Sequence, residues 1–457
     1  MRHCLGRWTG LSQGGQIKHG AGDATIRSEG DVTMSAKKMR GYSRRRFLNL
    51  FGGSIAVPFV LGAPSSRAAG LAGKLVMIKG PHSADEAKFE AEIIADFKKG
   101  NPGVDVEFTT YDWANMNAQL TAGFASGSPP DVQYLVDLIY PAYAERGVLQ
   151  DMTSWVNDPA WKSERDAIAP FAWSLAKSSK GIWGVPVLGA VYNIFVNLDL
   201  LNAAGVAGTW QKSYADMMAA AKATTKGDTF GVSLRTRVSD FAFWDWFPYI
   251  HNAGADILNK DWSGHGLAGG EDAMQFLIDL HKAKVTPPVG SVDWQGQFDL
   301  FKAGKIAIYH GETPQINELL ASPPPFKWDV AYAPPGPKGQ TVMGNFGILS
   351  VAAASKNKDA AWAFIKHWAS GPEVGRFAGE VNLQVVRTDI VNQLYGDKPQ
   401  MQKIQKEFVP RVKGVQPHPK ILTMLQQIWP VAEDSYLGNL TGKDAIAQMG
   451  EVINKLV

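Results

Sequence analysis

Short apolar runs alternate with amphipathic stretches along the chain from residue 75 onward. Residues 75–78 are apolar and partly β-branched, which favours a buried strand. Ser83 and Glu86 then match a capping box, and apolar side chains recur every four residues from Phe89 to Phe97. This pattern predicts a strand followed by a capped helix with one apolar face.

The same alternation continues through the rest of the chain. Residues 104–108 alternate as a second strand, and a helix at 114–125 leads to a third strand at 131–136. The other predicted strands lie at 191–196, 230–234, 306–309 and 346–351, and the other predicted helices at 199–204, 214–225, 271–284, 358–368 and 444–456. Parallel strands joined by helices are the economical packing for this order, so an α/β protein is predicted.

Composition places the chain among ordinary globular proteins. Of its 457 residues, 45% are hydrophobic and 19% charged, and its length suits two or three compact units of about 150 residues. Residues 1–69 hold eleven Lys/Arg and three Asp/Glu, whereas 70–457 hold 35 Lys/Arg and 40 Asp/Glu. The mildly acidic body argues against a nucleic-acid partner. Cys4 is the only cysteine, which excludes disulfides, Cys-ligated metals and a thiol nucleophile from the body.

The basic front end has the build of an export signal. Residues 43–48 read Ser-Arg-Arg-Arg-Phe-Leu, lead into an apolar run and resemble the twin-arginine export motif. Small residues at 66–69 suit signal cleavage, so 1–69 are expected to be removed after export by the twin-arginine translocase to the periplasm. Met34 or Met39 is the expected translation start. The alternative is an uncleaved anchor, although an apolar run of about 17 residues is short for a membrane core of about 30 Å.

Seven short motifs follow one another along the body. They lie at 97–106, 125–132, 143–149, 183–186, 192–193, 301–307 and 360–366, and they read Phe-Lys-Lys-Gly-Asn-Pro-Gly-Val-Asp-Val, Ala-Ser-Gly-Ser-Pro-Pro-Asp-Val, Tyr-Ala-Glu-Arg-Gly-Val-Leu, Trp-Gly-Val-Pro, Tyr-Asn, Phe-Lys-Ala-Gly-Lys-Ile-Ala and Ala-Ala-Trp-Ala-Phe-Ile-Lys. Their order and spacing resemble the extracellular solute-binding proteins of family 1, the receptors of ATP-driven sugar importers. The likeness covers nearly the whole chain after the signal.

The resemblance implies a type II periplasmic-binding-protein fold, with two discontinuous α/β lobes joined by a hinge. By analogy, the first lobe comprises 70–186 and 309–343, and the second comprises 187–308 and 344–457. The ligand would lie between them, in line with the rule that open parallel sheets bind ligands beyond the carboxyl ends of their strands. The implied role is to capture a sugar or polyol and deliver it to the membrane subunits of an ABC permease. Such a receptor is expected to be a monomer without cofactor, metal or catalytic residue.

Aromatic and acidic side chains are the expected ligand contacts. Rings cover the C–H face of a sugar, while carboxylates and amides accept hydrogen bonds from its hydroxyl groups. The segment 240–247 is dense in rings, and Trp244 or Trp246 is expected to face the cleft, with core packing as the alternative. His82 and Asp85 follow the first strand and are expected to meet ligand hydroxyls. Their alternative is a helix start in which Asp85 favours the helix dipole.

Four further candidates follow predicted strands or lie at the lobe crossings. Asp137 comes directly after the third strand, with a surface helix cap as its alternative. Tyr192 comes just after the first crossing, with a place in the strand core as its alternative. Asn345 lies at the second crossing and is placed to bond a ligand. Glu312 occupies a loop where relatives carry a ligand-stacking aromatic or a polar residue, and the absence of Trp there argues against a large maltodextrin.

Arg387 and His418 complete the candidate ligand contacts, because the resemblance places their loops near the cleft. Two other functions stay open. Arg235 and Arg237 could bind an anionic solute such as glycerol-3-phosphate, or could be solvated surface. Asp137 and Glu312 could instead form the carboxylate pair of a secreted glycosidase. The sequence holds no serine elbow, His-Glu-x-x-His motif or phosphate loop that would support an enzyme.

Overall fold

The computed structural model describes residues 71–82, 86–111, 113, 115–237 and 241–457. The predicted export segment, the predicted cap residue Ser83 and the candidate Asp85 lie outside the described residues. All described residues belong to a single unit, Arg67–Val457. Where the chain is described, no helix combines the length and the apolar character needed to cross a membrane.

Strands and helices alternate through the described part of the chain. The strands there are β1 (Gly73–Lys79), β2 (Val104–Thr110), β3 (Val132–Val136), β4 (Lys177–Ser178), β5 (Gly181–Ile182), β6 (Val185–Asn197), β7 (Phe230–Ser233), β8 (Asp256–Leu258), β9 (His265–Gly266), β10 (Ile306–Glu312), β11 (Trp328–Ala331), β12 (Val342–Val351), β13 (Gln384–Val385) and β14 (Val412–Lys413). The α-helices there are α1 (Glu86–Gly100), α2 (Met116–Ala125), α3 (Tyr140–Glu145), α4 (Thr153–Val156), α5 (Lys162–Ala167), α6 (Pro170–Ala176), α7 (Leu198–Ala203), α8 (Tyr214–Thr224), α9 (Phe243–Ala253), α10 (Glu271–Lys282), α11 (Trp294–Lys302), α12 (Gln315–Ala321), α13 (Lys358–Trp368), α14 (Gly371–Val381), α15 (Pro399–Lys403), α16 (Ile421–Tyr436) and α17 (Gly442–Asn454).

One mixed sheet of ten strands joins two parallel groups. Its order is β2-β1-β3-β12-β6-β10-β7, with β11 and β13 also paired to β6 and β14 paired to β12. β1 runs parallel to β2 and β3, and β7 runs parallel to β10, whereas β6 and β12 are antiparallel to each other. The predicted β-α-β-α-β unit is confirmed in β1 to β3. We call the side with β1, β2 and β3 the first half and the side with β7 and β10 the second half.

Strands β6 and β12 are shared by both halves. The earlier part of β6 pairs with β12, and from Tyr192 to Val196 β6 pairs with β10. From Gly347 onward, β12 pairs with β3. Tyr192 therefore stands opposite Met343 on one side and Glu312 on the other. The middle of β6 is the place where the pairing passes from one half to the other.

Two hydrophobic cores pack on the sheet, and the first extends into the second half through Phe301 and Tyr309. In the first half, one face of α1 buries Ile93 and Phe97, and the Phe97 ring lies 5.0 Å from that of Phe364 on α13. In the second half, helices α8, α9, α10, α16 and α17 bury a separate cluster that includes Phe247 and Met424. Burial of one such side chain contributes roughly 1.5–3 kcal/mol, so these apolar faces hold the helices on the sheet.

The helices that follow β12 are divided between the two halves. α13 and α14 contact α1, whereas α16 and α17 contact α10. The sequence-based partition, which assigned all of 344–457 to the second lobe, does not match this packing. The reason is that β12 continues past Gly347 along β3, so the chain returns to the first half before α13 begins. The predicted first-lobe segment 309–343 likewise starts inside β10, which pairs with β7 of the second half.

Gly347 packs tightly against Tyr134 where β12 meets β3. A Cβ atom at position 347 would overlap the Tyr134 ring. We expect Gly347→Ala to lower the free energy of unfolding by about 1–3 kcal/mol in urea denaturation, because a buried ring beside a central strand must move. Gly208→Ala is the matched control, since nothing lies within 4 Å of a Cβ there. Equal losses in the two variants would contradict this packing.

Candidate functional site

Polar and aromatic side chains follow the carboxyl ends of the parallel strands in both halves. In the first half, His82 follows β1, Trp113 follows β2 and Asp137 follows β3. In the second half, Arg235 follows β7, and Glu312 is the last residue of β10. Ligands of open α/β sheets bind at such edges. The topology thus places side chains suited to a polar ligand at one edge of each half.

Tyr192 lies at the centre of a group drawn from several elements. Its ring stacks on that of Trp244 from α9, with centroids 5.0 Å apart and planes 22° from parallel. The guanidinium carbon of Arg235 lies 5.3 Å from the Tyr192 ring centroid. Burial raises the pKa of Tyr192 well above its usual value, and its hydroxyl interacts with Glu312 and Asn345. We call these five residues the Tyr192 group; four of them were predicted as ligand contacts.

Arg235 is buried and held by an ion pair within the chain. Its Nε and Nη2 donate to Asp245 Oδ1 at 3.0 and 2.7 Å, and its backbone N–H donates to Oδ2 at 2.6 Å. Burial alone would lower the pKa of Arg235, but the Asp245 carboxylate more than offsets this and raises it. The solvated-surface alternative for Arg235 is therefore wrong, whereas Arg237 is exposed. Since Asp245 already compensates its charge, Arg235 is a poor anchor for an anionic ligand.

Asp137 is a buried carboxyl group that accepts no well-formed hydrogen bond. Only 1% of the residue is exposed, and neither carboxyl oxygen has a hydrogen-bond partner in the described structure. Burial raises the pKa of Asp137 to about 8, and nearby backbone N–H groups oppose this shift only in part. A Cβ at Gly414 would lie 3.4 Å from Asp137 Oδ2 and 2.7 Å from Leu175 Cδ2, so both residues enclose the carboxyl group. The surface-cap alternative for Asp137 is wrong.

Three rings form a wall beside these residues in the first half. The His82 ring contacts Trp113 and Tyr134 edge to face, with centroids 5.4 and 5.2 Å apart. Burial, with the nearby charge of Lys79, lowers the pKa of His82 to about 4, so the ring is neutral near pH 7. A Cβ at Gly80 would lie 2.5 Å from the Trp113 ring, which explains the glycine there. Neither Trp113 nor Tyr134 was predicted from the sequence. The position of Trp113 after the end of β2 could have revealed it, whereas Tyr134 lies in the middle of β3.

Two predicted contacts lie apart from the Tyr192 group. Trp246 is 1% exposed and stacks on Phe247 in the second core, with centroids 5.5 Å apart. Arg387 is buried and donates to Asp389, to Glu164 and to a backbone carbonyl. Their side chains are occupied by packing and by ion pairs. Neither is placed to contact a ligand held at the Tyr192 group.

His418 borders a separate cavity of about 350 Å³. Trp183 lines it from the first half, and Trp262, whose ring lies 5.7 Å from that of His418, lines it from the second. The space beside Tyr192 and Trp244 is only about 10 Å³, room for roughly one water molecule. The described residues contain no group of three or more His, Cys, Asp or Glu side chains able to hold a metal ion.

Solved structures with this architecture are numerous. The Listeria monocytogenes ABC substrate-binding protein in complex with cycloalternan has a TM-score of 0.73 and 21% identity, covering 84% of this chain and 98% of its own. The GacH receptor of Streptomyces glaucescens has a TM-score of 0.72 and 23% identity, with the same coverage. Maltose-bound MalE3 of T. maritima has a TM-score of 0.71 and 19% identity, covering 84% and 100%. The predicted two-lobed α/β fold is confirmed.

Sequence relatives agree with the structural ones. A candidate binding protein of Brucella abortus (strain 2308) is 25% identical over 310 residues, which cover 65% of this chain and 73% of the relative. The diacetylchitobiose-binding protein DasA of Streptomyces coelicolor is 23% identical over 321 residues, covering 65% and 69%. The family model for bacterial extracellular solute-binding proteins matches residues 80–374. The chain therefore belongs to the bacterial extracellular solute-binding protein family.

Proposed function

We propose that this protein captures a sugar or a related polyol between its two halves and delivers it to the membrane permease of an ABC importer. The observation that carries the proposal is the Tyr192 group, in which rings, a carboxyl group and an amide meet at the strand shared by both halves. Rings suit the C–H face of a sugar, and oxygen-bearing side chains accept hydrogen bonds from its hydroxyls. The ligands named for several relatives, cycloalternan, maltose and diacetylchitobiose, are saccharides.

Ligand binding is coupled to closure in this proposal. The sugar enters the space between the halves when they move apart. Asp137 and the ring wall would then contact it from the first half, and Trp244 and Glu312 from the second. A ligand that contacts both halves favours the closed state by its difference in affinity, and about 5.5 kcal/mol moves a population from 1:99 to 99:1.

The proposal also includes the export of the protein and its state after processing. The twin-arginine leader directs the precursor to the periplasm, where the processed protein works as a monomer without a cofactor. The permease and its ATPase are separate chains.

The paired state of Arg235 disfavours the anionic-solute alternative, because its charge is already compensated by Asp245. We also assign α13 and α14 to the first lobe and α16 and α17 to the second, following their packing.

A thermal-shift screen over sugars and polyols tests the proposal. A ligand that binds only the folded state stabilises it by about 2.7 kcal/mol at a concentration of 100 Kd, so the true ligand should raise the melting temperature clearly. Small-angle scattering should then show compaction with that ligand at saturation. Trp246→Phe, in the second core, is the control variant that keeps the response, whereas Trp244→Ala should lose it. A screen without any stabilising sugar or polyol, or hydrolysis of aryl glycosides by the protein, would contradict the proposal.

A further inference from the structure

We infer that the ligand of this site carries a protonated amine beside its hydroxyl groups, as an amino sugar or an aminocyclitol does. The inference rests on the proposed function and narrows its ligand class. It follows from the charges of the side chains that meet around Tyr192, and above all from the Asp137 carboxyl group, to which no described side chain donates a hydrogen bond.

The balance of charge at the site favours a cationic guest. Arg235 is neutralised by Asp245, its bidentate partner. Two further carboxyl groups, Asp137 and Glu312, lie near the Tyr192 ring without an ion-pair partner within 4.0 Å among the described residues. Burial raises the pKa of Glu312, and Arg235 offsets this only in part. Carboxyl groups therefore exceed available cations at the site.

Among the described residues, no cationic side chain forms an ion pair with Asp137. The titratable groups that face it are the hydroxyls of Tyr134 on β3, Tyr140 on α3 and Tyr192 on β6, and burial raises the pKa of each above its usual value. Leu175 of α6 and Gly414 complete the enclosure, and Lys413 beside Gly414 is paired with Asp256 at 2.7 Å. A buried carboxylate without a partner is costly, so a ligand that supplies charge and donors gains the most from this position.

An ammonium group meets this requirement better than a metal ion or a hydroxyl. No metal-binding cluster is present in the described residues. A hydroxyl group donates one hydrogen bond but brings no charge, whereas an ammonium group brings three donors and a full positive charge, and charge-assisted bonds are about twice as strong. The residue charges of 70–457, with 40 Asp/Glu against 35 Lys/Arg, also attract a cation over long range.

Binding of an amine can be recognised by the proton that it releases from Asp137. Near pH 6.5 the Asp137 carboxyl group holds its proton in the free protein, since its pKa is about 8. When a ligand ammonium takes the place of that proton, the carboxyl ionises, the amine stays protonated, and one proton goes to the buffer. A neutral sugar that bonds the protonated carboxyl releases none. The number of protons released on binding therefore distinguishes the two ligand classes, whatever their affinities.

The experiment compares matched pairs of ligands on the intact chain without its leader. Glucosamine, galactosamine and the glucosamine dimer are titrated beside glucose, galactose and cellobiose by calorimetry at pH 6.5, in two buffers of different ionisation enthalpy. We expect at least one amine to bind at least tenfold more tightly than its hydroxyl counterpart and to release about one proton. Asp137→Asn should make the amine and its hydroxyl counterpart bind with about equal affinity and should abolish the proton release. Asp105→Asn, an exposed control, should change neither the affinity ratio nor the proton release.

The outcomes separate this inference from the proposed function. Neutral sugars that bind as tightly as their amines, without proton release, would overturn the amine and leave the sugar receptor standing. Tighter binding of an amine without proton release would overturn the pairing with Asp137. Failure of every sugar of both kinds to bind would count against the proposed function as well.

Discussion

Asp137→Asn is expected to make the free protein more stable near pH 7.5, and not more stable near pH 4. The folded chain holds Asp137 in a site that burial makes unfavourable for its charge, with a pKa of about 8. An unfolded chain has an ordinary Asp pKa of about 3.9. Asparagine has the same shape and no charge to bury, so the penalty disappears with the substitution.

The sign of the pH dependence follows from proton binding. Between about pH 4 and pH 8, the folded state keeps the Asp137 proton and the unfolded state has lost it. Because the native state binds more protons, stability falls as pH rises across this window and is level above it. One pKa unit corresponds to 1.36 kcal/mol, so the full penalty is roughly 5–6 kcal/mol. Urea denaturation of both proteins from pH 4 to pH 8 measures it.

Asp105→Asn is the matched control for this experiment. Asp105 is exposed, and the hydrogen bond from Lys98 lowers its pKa, so its loss should cost slight stability above pH 4 and never gain it. A gain for Asp137→Asn that is equal at pH 4 and pH 8 would refute the titration argument. The stabilised variant should also bind ligand more weakly, because a substitution that stabilises a binding site commonly reduces its function.

Lys79→Met is expected to destabilise the first half by about 3–5 kcal/mol near pH 7. The Lys79 ammonium is buried, 3.1 Å from Glu86 Oε2 and 2.9 Å from Glu90 Oε1, and it donates to the Gly80 carbonyl at 2.9 Å. Methionine fills similar volume but leaves two buried carboxylates without a cation. The loss should shrink toward pH 4, where both carboxyl groups can take up protons.

Lys74→Met tests the same chemistry at the surface of the same strand. Lys74 pairs with Glu107, but the side chains are 61% and 51% exposed, and exposed pairs contribute little. We expect little change in the midpoint of thermal unfolding for this variant. Equal losses at positions 74 and 79 would show that burial does not set the strength of these pairs. Adding Glu86→Gln and Glu90→Gln to Lys79→Met should recover part of the stability.

Local patterns predicted the first part of the fold well. The four-residue spacing that ends at Phe97 and the alternation after Val104 are signals of a few neighbouring residues, and both elements are present. Ser213 directly precedes the predicted helix at 214–225, and its hydroxyl accepts the backbone N–H of Asp216 at 3.1 Å. Such features depend on short-range physics, so the sequence contains them directly.

Proline lies inside two of the helices that the sequence pattern did not predict. Pro248 lies inside α9 and Pro430 inside α16, where the missing N–H removes an intrahelical hydrogen bond. Tertiary packing in the second core outweighs this local cost. Strand β6 begins at Val185, six residues before the predicted start at 191, and it includes Pro186 and Gly189. The early part of β6 is held by pairing with β12 across the sheet, and the local sequence contains no signal for that pairing.

Only part of the site could be anticipated. The rule that ligands lie beyond strand ends selected Asp137 and Glu312 from the sequence. The choice between Trp244 and Trp246 needed the helix that turns their side chains in different directions. The pairing of Arg235 with Asp245, ten positions apart across a loop and a helix start, had no local signal at all. Long-range pairs of this kind are set by the folded chain.

The position of Tyr192 on β6 has a mechanical consequence. A swing of one half against the other must be absorbed as torsion in β6 and β12, near the residue that faces Met343 on one flank and Glu312 on the other. Points near a pivot travel little, while points far from it sweep a long arc. The residues around a ligand at Tyr192 would thus mainly rotate during this movement. A small rotation there would correspond to a large displacement at the outer rim of the two halves.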